Sequence, residues 1–223
     1  MPEGFKLRIC FRKTGPLRFL SHLETGRAWE RAARRARLPY AVSQGFTPRM
    51  RIAFGPALPV GTAGEREYVD ILLTRFVPVA EVTERLGASV VPELGLVKCG
   101  YVSPAEASLA SRLTIAAYEV EIEGGSPQQE TERSLVTLMG TGSLSVEHKG
   151  KQKVFDLSQA LPKEPEVRFV EGRTIIRMWV RMGDQGSLRP EVFVTAAVGR
   201  DRVVSVTRTD LLIDDDQGWR RPL

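Results

Sequence analysis

Residues 21 to 37 place two opposite chemistries on one short helix. At 100° per residue, Trp29, Ala32, Ala33 and Ala36 share one face, and Arg27, Arg31, Arg34 and Arg35 share the other. The apolar face is made mostly of alanine, so such a helix can lie close to a sheet. The start is marked by Ser21-His22-Leu23-Glu24, a capping-box pattern in which the serine and the glutamate satisfy amides that have no helical partner. The end is set by Pro39, because the residue before a proline avoids the helical region. A chain with this segment needs a neighbouring sheet to cover tryptophan and alanine, and it must leave a row of guanidinium groups outside.

The flanking segments supply that sheet. Phe5 to Phe11 alternates apolar and basic residues, which predicts a strand with one buried face. Arg12 to Leu20 reads as a loop. Tyr40 to Ser43 and Arg49 to Phe54 read as strand pieces flanking a Gly45 loop, and Arg66 to Thr74 and Leu94 to Val102 read as strands. Pro78 to Leu86 reads as a helix with proline at its start and Gly87 after its end. The order β-α-β-β-α-β is the ferredoxin-like split pattern. After a small, polar linker at Ser103 to Ser111 the order recurs. Strands are expected at Thr114 to Ile122, Glu166 to Phe169, Thr174 to Arg181 and Val203 to Ile213, with helices at Pro127 to Met139 and Leu188 to Val198. An extra hairpin is expected at Leu144 to Leu157. The fold class predicted is α+β, with two tandem ferredoxin-like units at 1–104 and 112–214 and a polar, frayed tail at 215–223.

Charge is unevenly spread. Residues 1 to 51 hold twelve Lys or Arg against three acids, whereas residues 111 to 223 hold sixteen against seventeen. The positive field belongs to the first unit and suits a polyanion such as RNA, or an acidic protein surface. No apolar run is long enough to cross a bilayer and no signal segment opens the chain, so a cytoplasmic location without membrane contact is expected. Cys10 and Cys99 have no metal-ligand spacing, so no metal site is predicted and both are expected as buried thiols. The loop Gly55 to Gly61 lacks the glycine and lysine spacing of nucleotide-binding loops.

The candidate binding residues are Arg18, His22, Arg27, Arg31, Arg34, Gln44, Phe46, Arg49 and Arg51, with Lys149 and Lys151 at the tip of the extra hairpin. Arginine forks match phosphate and carboxylate geometry. In Ser43-Gln44-Gly45-Phe46-Thr47-Pro48-Arg49, Phe46 can stack on a base, with Arg49 and Arg51 on phosphates, or it can fill the core of a bulge. Glu65, Glu67 and Asp70 read as partners for nearby arginines. His22 is the one candidate catalytic residue, as a general base; alternatively it hydrogen-bonds a loop or packs on the apolar side of the helix. His148 reads as a surface residue.

Taken together, these residues resemble the radical-SAM-associated (radical-SAM-linked) domain of unknown function, found fused or adjacent to B12-binding radical SAM proteins. The resemblance rests on Arg18 to Leu23, Glu30-Arg31-Ala32, Arg34-Arg35-Ala36, Ser43 to Phe46 with Pro48, Ala57 to Pro59 with Gly61, and Glu67-Tyr68 with Asp70. It continues in Lys149-Gly150-Lys151, Asp156, Ser187 to Pro190 and Arg208 to Asp210. Glu24 stands where that family has Asp, and Thr207 where it has His. The resemblance implies an accessory protein with no bound cofactor of its own. The implied partner is a separate radical SAM enzyme carrying an iron–sulfur cluster, S-adenosylmethionine and, in some cases, cobalamin. The expectation is a non-catalytic protein that binds structured RNA, tRNA or rRNA, and presents it to that enzyme. A protein–protein adaptor without RNA and a metal-independent endoribonuclease are the alternatives. The element order also resembles that of CRISPR repeat-processing endoribonucleases.

Overall fold

The computed structural model describes residues 4–123, 128–148, 150–183, 186–199 and 202–223, without the side chains of His148 and Lys151. It is a mixed α+β fold with six α-helices among the described residues. Met1–Leu113 with Arg220–Leu223 forms one compact unit and Thr114–Trp219 a second.

In the first unit, β1 (Phe5–Lys13) is followed by a 3-10 turn at Gly15–Phe19, α1 (His22–Arg35), β2 (Ile52–Phe54), β3 (Ala63–Leu73), α2 (Val79–Gly87) and β4 (Leu96–Val102). The strands pair antiparallel in the order β4-β1-β3-β2. Leu7, Ile9 and Phe11 of β1 and Val69, Ile71 and Leu73 of β3 form one core with Trp29, Ala32 and Ala33 of α1 and Val82 and Leu86 of α2.

The opposite face of β1 departs from the one-sided expectation, because Arg8 and Cys10 are buried as well. Arg8 sits opposite Asp70 in the β1–β3 register. Its Nε and Nη2 donate to the two Asp70 carboxylate oxygens at 2.8 and 2.9 Å. Its Nη1 donates to Glu106 Oε1 at 2.7 Å and to the Pro222 carbonyl at 3.1 Å. Arg112 also pairs with Glu106. Two expectations are corrected here. Residues 103–111 do not form a free linker: α3 (Leu109–Arg112) lies in the first unit with Leu109 buried, and Glu106 binds Arg8. Residues 215–223 are not a frayed tail, since Gly218–Arg220 forms a strand and Pro222 is a ligand of Arg8. In each segment a polar group, Glu106 in one and the Pro222 carbonyl in the other, is tied to the buried guanidinium.

The second unit runs β5 (Ile115–Ile122), α4 (Gln128–Gly140), the hairpin β6 (Ser143–His148) and β7 (Lys151–Asp156), α5 (Leu157–Ala160), β8 (Lys163–Val170), β9 (Arg173–Arg181), α6 (Pro190–Val198), β10 (Val203–Asp215) and β11 (Gly218–Arg220). Its main sheet has the order β10-β5-β9-β8, with antiparallel pairing throughout. Phe193 and Val194 of α6 and Leu135 of α4 are buried together with Val120 and Ile176 of the strands.

Candidate nucleic-acid interface

Helix α1 forms where its pattern predicts. Ser21 Oγ accepts from the Glu24 amide at 3.3 Å, and Glu24 Oε2 accepts from the Ser21 amide at 2.8 Å and from its hydroxyl at 2.7 Å. The Ser21 amide and hydroxyl, helped by the charge of Arg27, hold the Glu24 carboxylate below its usual pKa. Ser21→Ala is expected to cost about 1 kcal/mol of stability, read as a lower urea midpoint; an unchanged midpoint would show that water replaces the cap without loss.

With the helix fixed, its two faces separate as the wheel predicts. Trp29, Ala32, Ala33 and Ala36 are buried, and Arg27, Arg31, Arg34 and Arg35 are exposed. Arg34 hydrogen-bonds the Tyr40 side chain and pairs with Glu30 at 3.2 Å, both of which raise its pKa. Exposed pairs of this kind are screened by solvent and hold the side chain weakly, so Arg34 can exchange them for another anion. Among the described residues, Arg31 and Arg35 have neither a hydrogen bond nor an ion pair.

The arginine row does not stop at the helix end. Arg35 and Arg37, with Arg85 and Ser89 at the end of α2, line a groove of about 540 Å³. Arg37 holds a left-handed backbone angle, φ 49°, where the chain turns out of α1. Arg85 pairs with Glu81 on its own helix. Arg37 and Arg85 were not candidates from sequence. Arg37 follows the row in sequence and was legible, whereas Arg85 enters only because α2 packs beside α1.

The loop 43–49 projects from the same unit. Gln44, Phe46 and Arg49 are exposed, as is Arg51 after it. Phe46 is fully exposed, which removes the core-filling alternative. Arg18 lies in the 3-10 turn, half-buried, with its guanidinium 4.9 Å from the Phe19 ring centre.

His22 is exposed and meets Phe54 edge to face at 5.4 Å. Three motif segments converge beside it: His22, then Gly55, Pro56 and Leu58, then Glu67 and Tyr68 border one cavity of about 20 Å³, together with Lys13. That volume holds about one water. Lys13 is buried and its Nζ donates to the Leu20 carbonyl at 2.9 Å, bracing the turn that leads into α1. Among the described residues His22 has no hydrogen bond that would orient it as a base. The convergence therefore has the geometry of a structural junction.

Lys149 lies outside the described residues, and for Lys151 only the backbone is described, at the start of β7. Further along that strand, Lys153 lies over the Phe155 ring at 4.6 Å and donates to the Gly186 carbonyl at 3.4 Å. The hairpin thus faces Gly186 to Arg189 across a groove of about 660 Å³. Cys10 and Cys99 are free and buried. Burial raises the Cys99 thiol, partly offset by Thr83. No group of side chains able to hold a metal ion occurs among the described residues, and no helix among them is long and apolar enough to cross a membrane.

No curated protein matches this chain. Among solved structures, it resembles a chain of the crystal structure of a Cbf5-Nop10-Gar1 complex, with 13% identity and a TM-score of 0.47. That match covers 92% of this chain and 48% of the other, so this chain spans about half the length of the one it matches. A family model described as an uncharacterized protein conserved in bacteria (DUF2344) matches residues 6–190. The protein belongs to that family.

Proposed function

We propose that this chain is an RNA-binding accessory protein. Its first unit holds structured RNA, such as tRNA or rRNA, on the arginine surface of α1 and the groove beyond it. The observation that carries this reading is the continuous row Arg27, Arg31, Arg34 and Arg35 leading into the Arg35, Arg37 and Arg85 groove. Several guanidinium groups along one surface match the spacing of a phosphate backbone better than a single carboxylate. The ferredoxin-like part of this reading is supported by the strand order, since β4-β1-β3-β2 recurs as β10-β5-β9-β8, with β6–β7 as an insertion in the second unit. The partner in this reading is a separate radical SAM enzyme to which the RNA is presented in the cytoplasm, and it rests on the motif resemblance from Arg18 to Asp70.

The test is a gel-shift titration with total RNA over a salt series. Affinity is expected to fall steeply with salt, and Arg27, Arg31 and Arg35→Ala together should lower the slope of log affinity against log salt by about 2–3. Binding that ignores salt, or that the triple variant leaves unchanged, would refute the reading. These side chains are exposed, so the variant keeps its fold, which far-UV circular dichroism verifies.

A further inference from the structure

The loop at 43–49 has a firm base and an unsupported tip. The Ser43 amide donates to the Arg49 carbonyl at 2.8 Å, and the Arg49 amide donates to Ser43 Oγ at 3.1 Å. Val42 bridges Met50 just below, and the Met50 side chain is buried. Above that base, Phe46 has a relative exposure of 110%, so its ring is open to solvent. Gly45 precedes it at φ 137°, an angle that side-chain-bearing residues rarely adopt, and a Cβ there would meet nothing within 4 Å. The glycine therefore serves the backbone turn, and that turn carries the ring away from its own protein.

A large apolar ring held this far into solvent on a braced loop suits a partner with a flat apolar face. Its loop neighbours Gln44, Thr47 and Arg49 are polar or basic, unlike the apolar centre of a protein-docking patch. A base-paired duplex presents phosphates and groove edges, with its base faces already stacked. An unpaired nucleotide presents both a free base face and a phosphate. We infer that Phe46 stacks on an unpaired base, so that the surface selects RNA with single-stranded segments. Gln44 reaches the edge of that base, and Arg49 and Arg51 hold the flanking phosphates. This inference rests on the RNA-binding reading above and names the kind of RNA it takes.

Fluorescence anisotropy on the full chain separates the two. The probes are an unstructured RNA of about 12 nucleotides and a duplex of the same length. Wild type is expected to bind the single strand more tightly. Phe46→Ala should weaken single-strand binding by about tenfold, the order of one lost stack, and leave the duplex unchanged. Phe46→Trp should retain single-strand affinity. Equal binding of the two probes, an equal loss on both, or no loss with Phe46→Ala, overturns the inference and leaves the arginine surface standing. Unchanged RNA affinity with loss of a co-purifying polypeptide in Phe46→Ala also overturns it, and marks the ring as a protein contact. Absence of salt-sensitive binding to either probe overturns the RNA-binding reading itself. Phe46 buries nothing, so its loss does not unfold the chain.

Discussion

Arg8→Ala is expected to destabilise the first unit by about 3–5 kcal/mol, the usual cost of breaking a buried ion pair from one side. Arg8 is 1% exposed and holds Asp70, Glu106 and the Pro222 carbonyl at once. Removing it leaves two carboxylates near one another with much of their compensation gone. The asymmetry makes the prediction specific. Replacing both partners, as in Arg8→Met with Asp70→Leu, should cost much less than either single change, because no uncompensated charge then stays buried. Urea denaturation of wild type, both single variants and the double variant measures this; additive costs would mean that the pair is not coupled. A pH dependence follows from the same cluster. Burial acts to raise the Glu106 pKa, but the hydrogen bond and charge of Arg8 and then the charge of Arg112 outweigh it, so the net shift is downward. A carboxylate with a lowered folded pKa contributes stability above the ordinary glutamate range and loses it as pH falls through the folded value. The urea midpoint should therefore drop on acidification below that range, and more weakly in Arg8→Met.

Trp29→Ala has the second large effect, about 3–5 kcal/mol for emptying a fully buried aromatic site. Trp29 lies 4.9 Å from Phe11 with its ring tilted by 58°, and it joins α1 to the sheet among small alanines. Alanine neighbours cannot extend to fill the space, so the cavity persists. The consequence reaches the surface, because α1 carries the arginine row and its register depends on this contact. RNA affinity should fall along with stability, whereas the arginine variants should lose affinity alone. Trp29→Phe is the informative partner variant. It keeps a ring against Phe11 and removes Nε1, a buried donor without an acceptor among the described residues, so its cost should be clearly smaller. Equal costs for the two would show that ring size, rather than the aromatic contact, determines the site.

The helix is the most legible element of this chain. Its cap, its length and its two faces all follow from Ser21 to Pro39, because i to i+3 contacts and side-chain direction are local properties. The extra hairpin was similarly visible around Lys149-Gly150-Lys151. Arg8 was not. In an alternating strand it reads as a solvent-facing residue, and its partners lie 62 and 98 positions away. The segment containing Glu106 has the composition of a linker for the same reason, since its polar contact to one buried charge is distant in sequence.

The candidate surface divides along that line. Sequence alone determined which arginines share a helix face, since helical periodicity places them there whatever surrounds the helix. Only the tertiary structure decided that Arg85 joins the row, that Phe46 points into solvent and that His22 borders a small cavity. Those outcomes depend on which distant segments pack together. Packing is decided by the burial of apolar area and the pairing of buried charge over the whole unit, which no local pattern records.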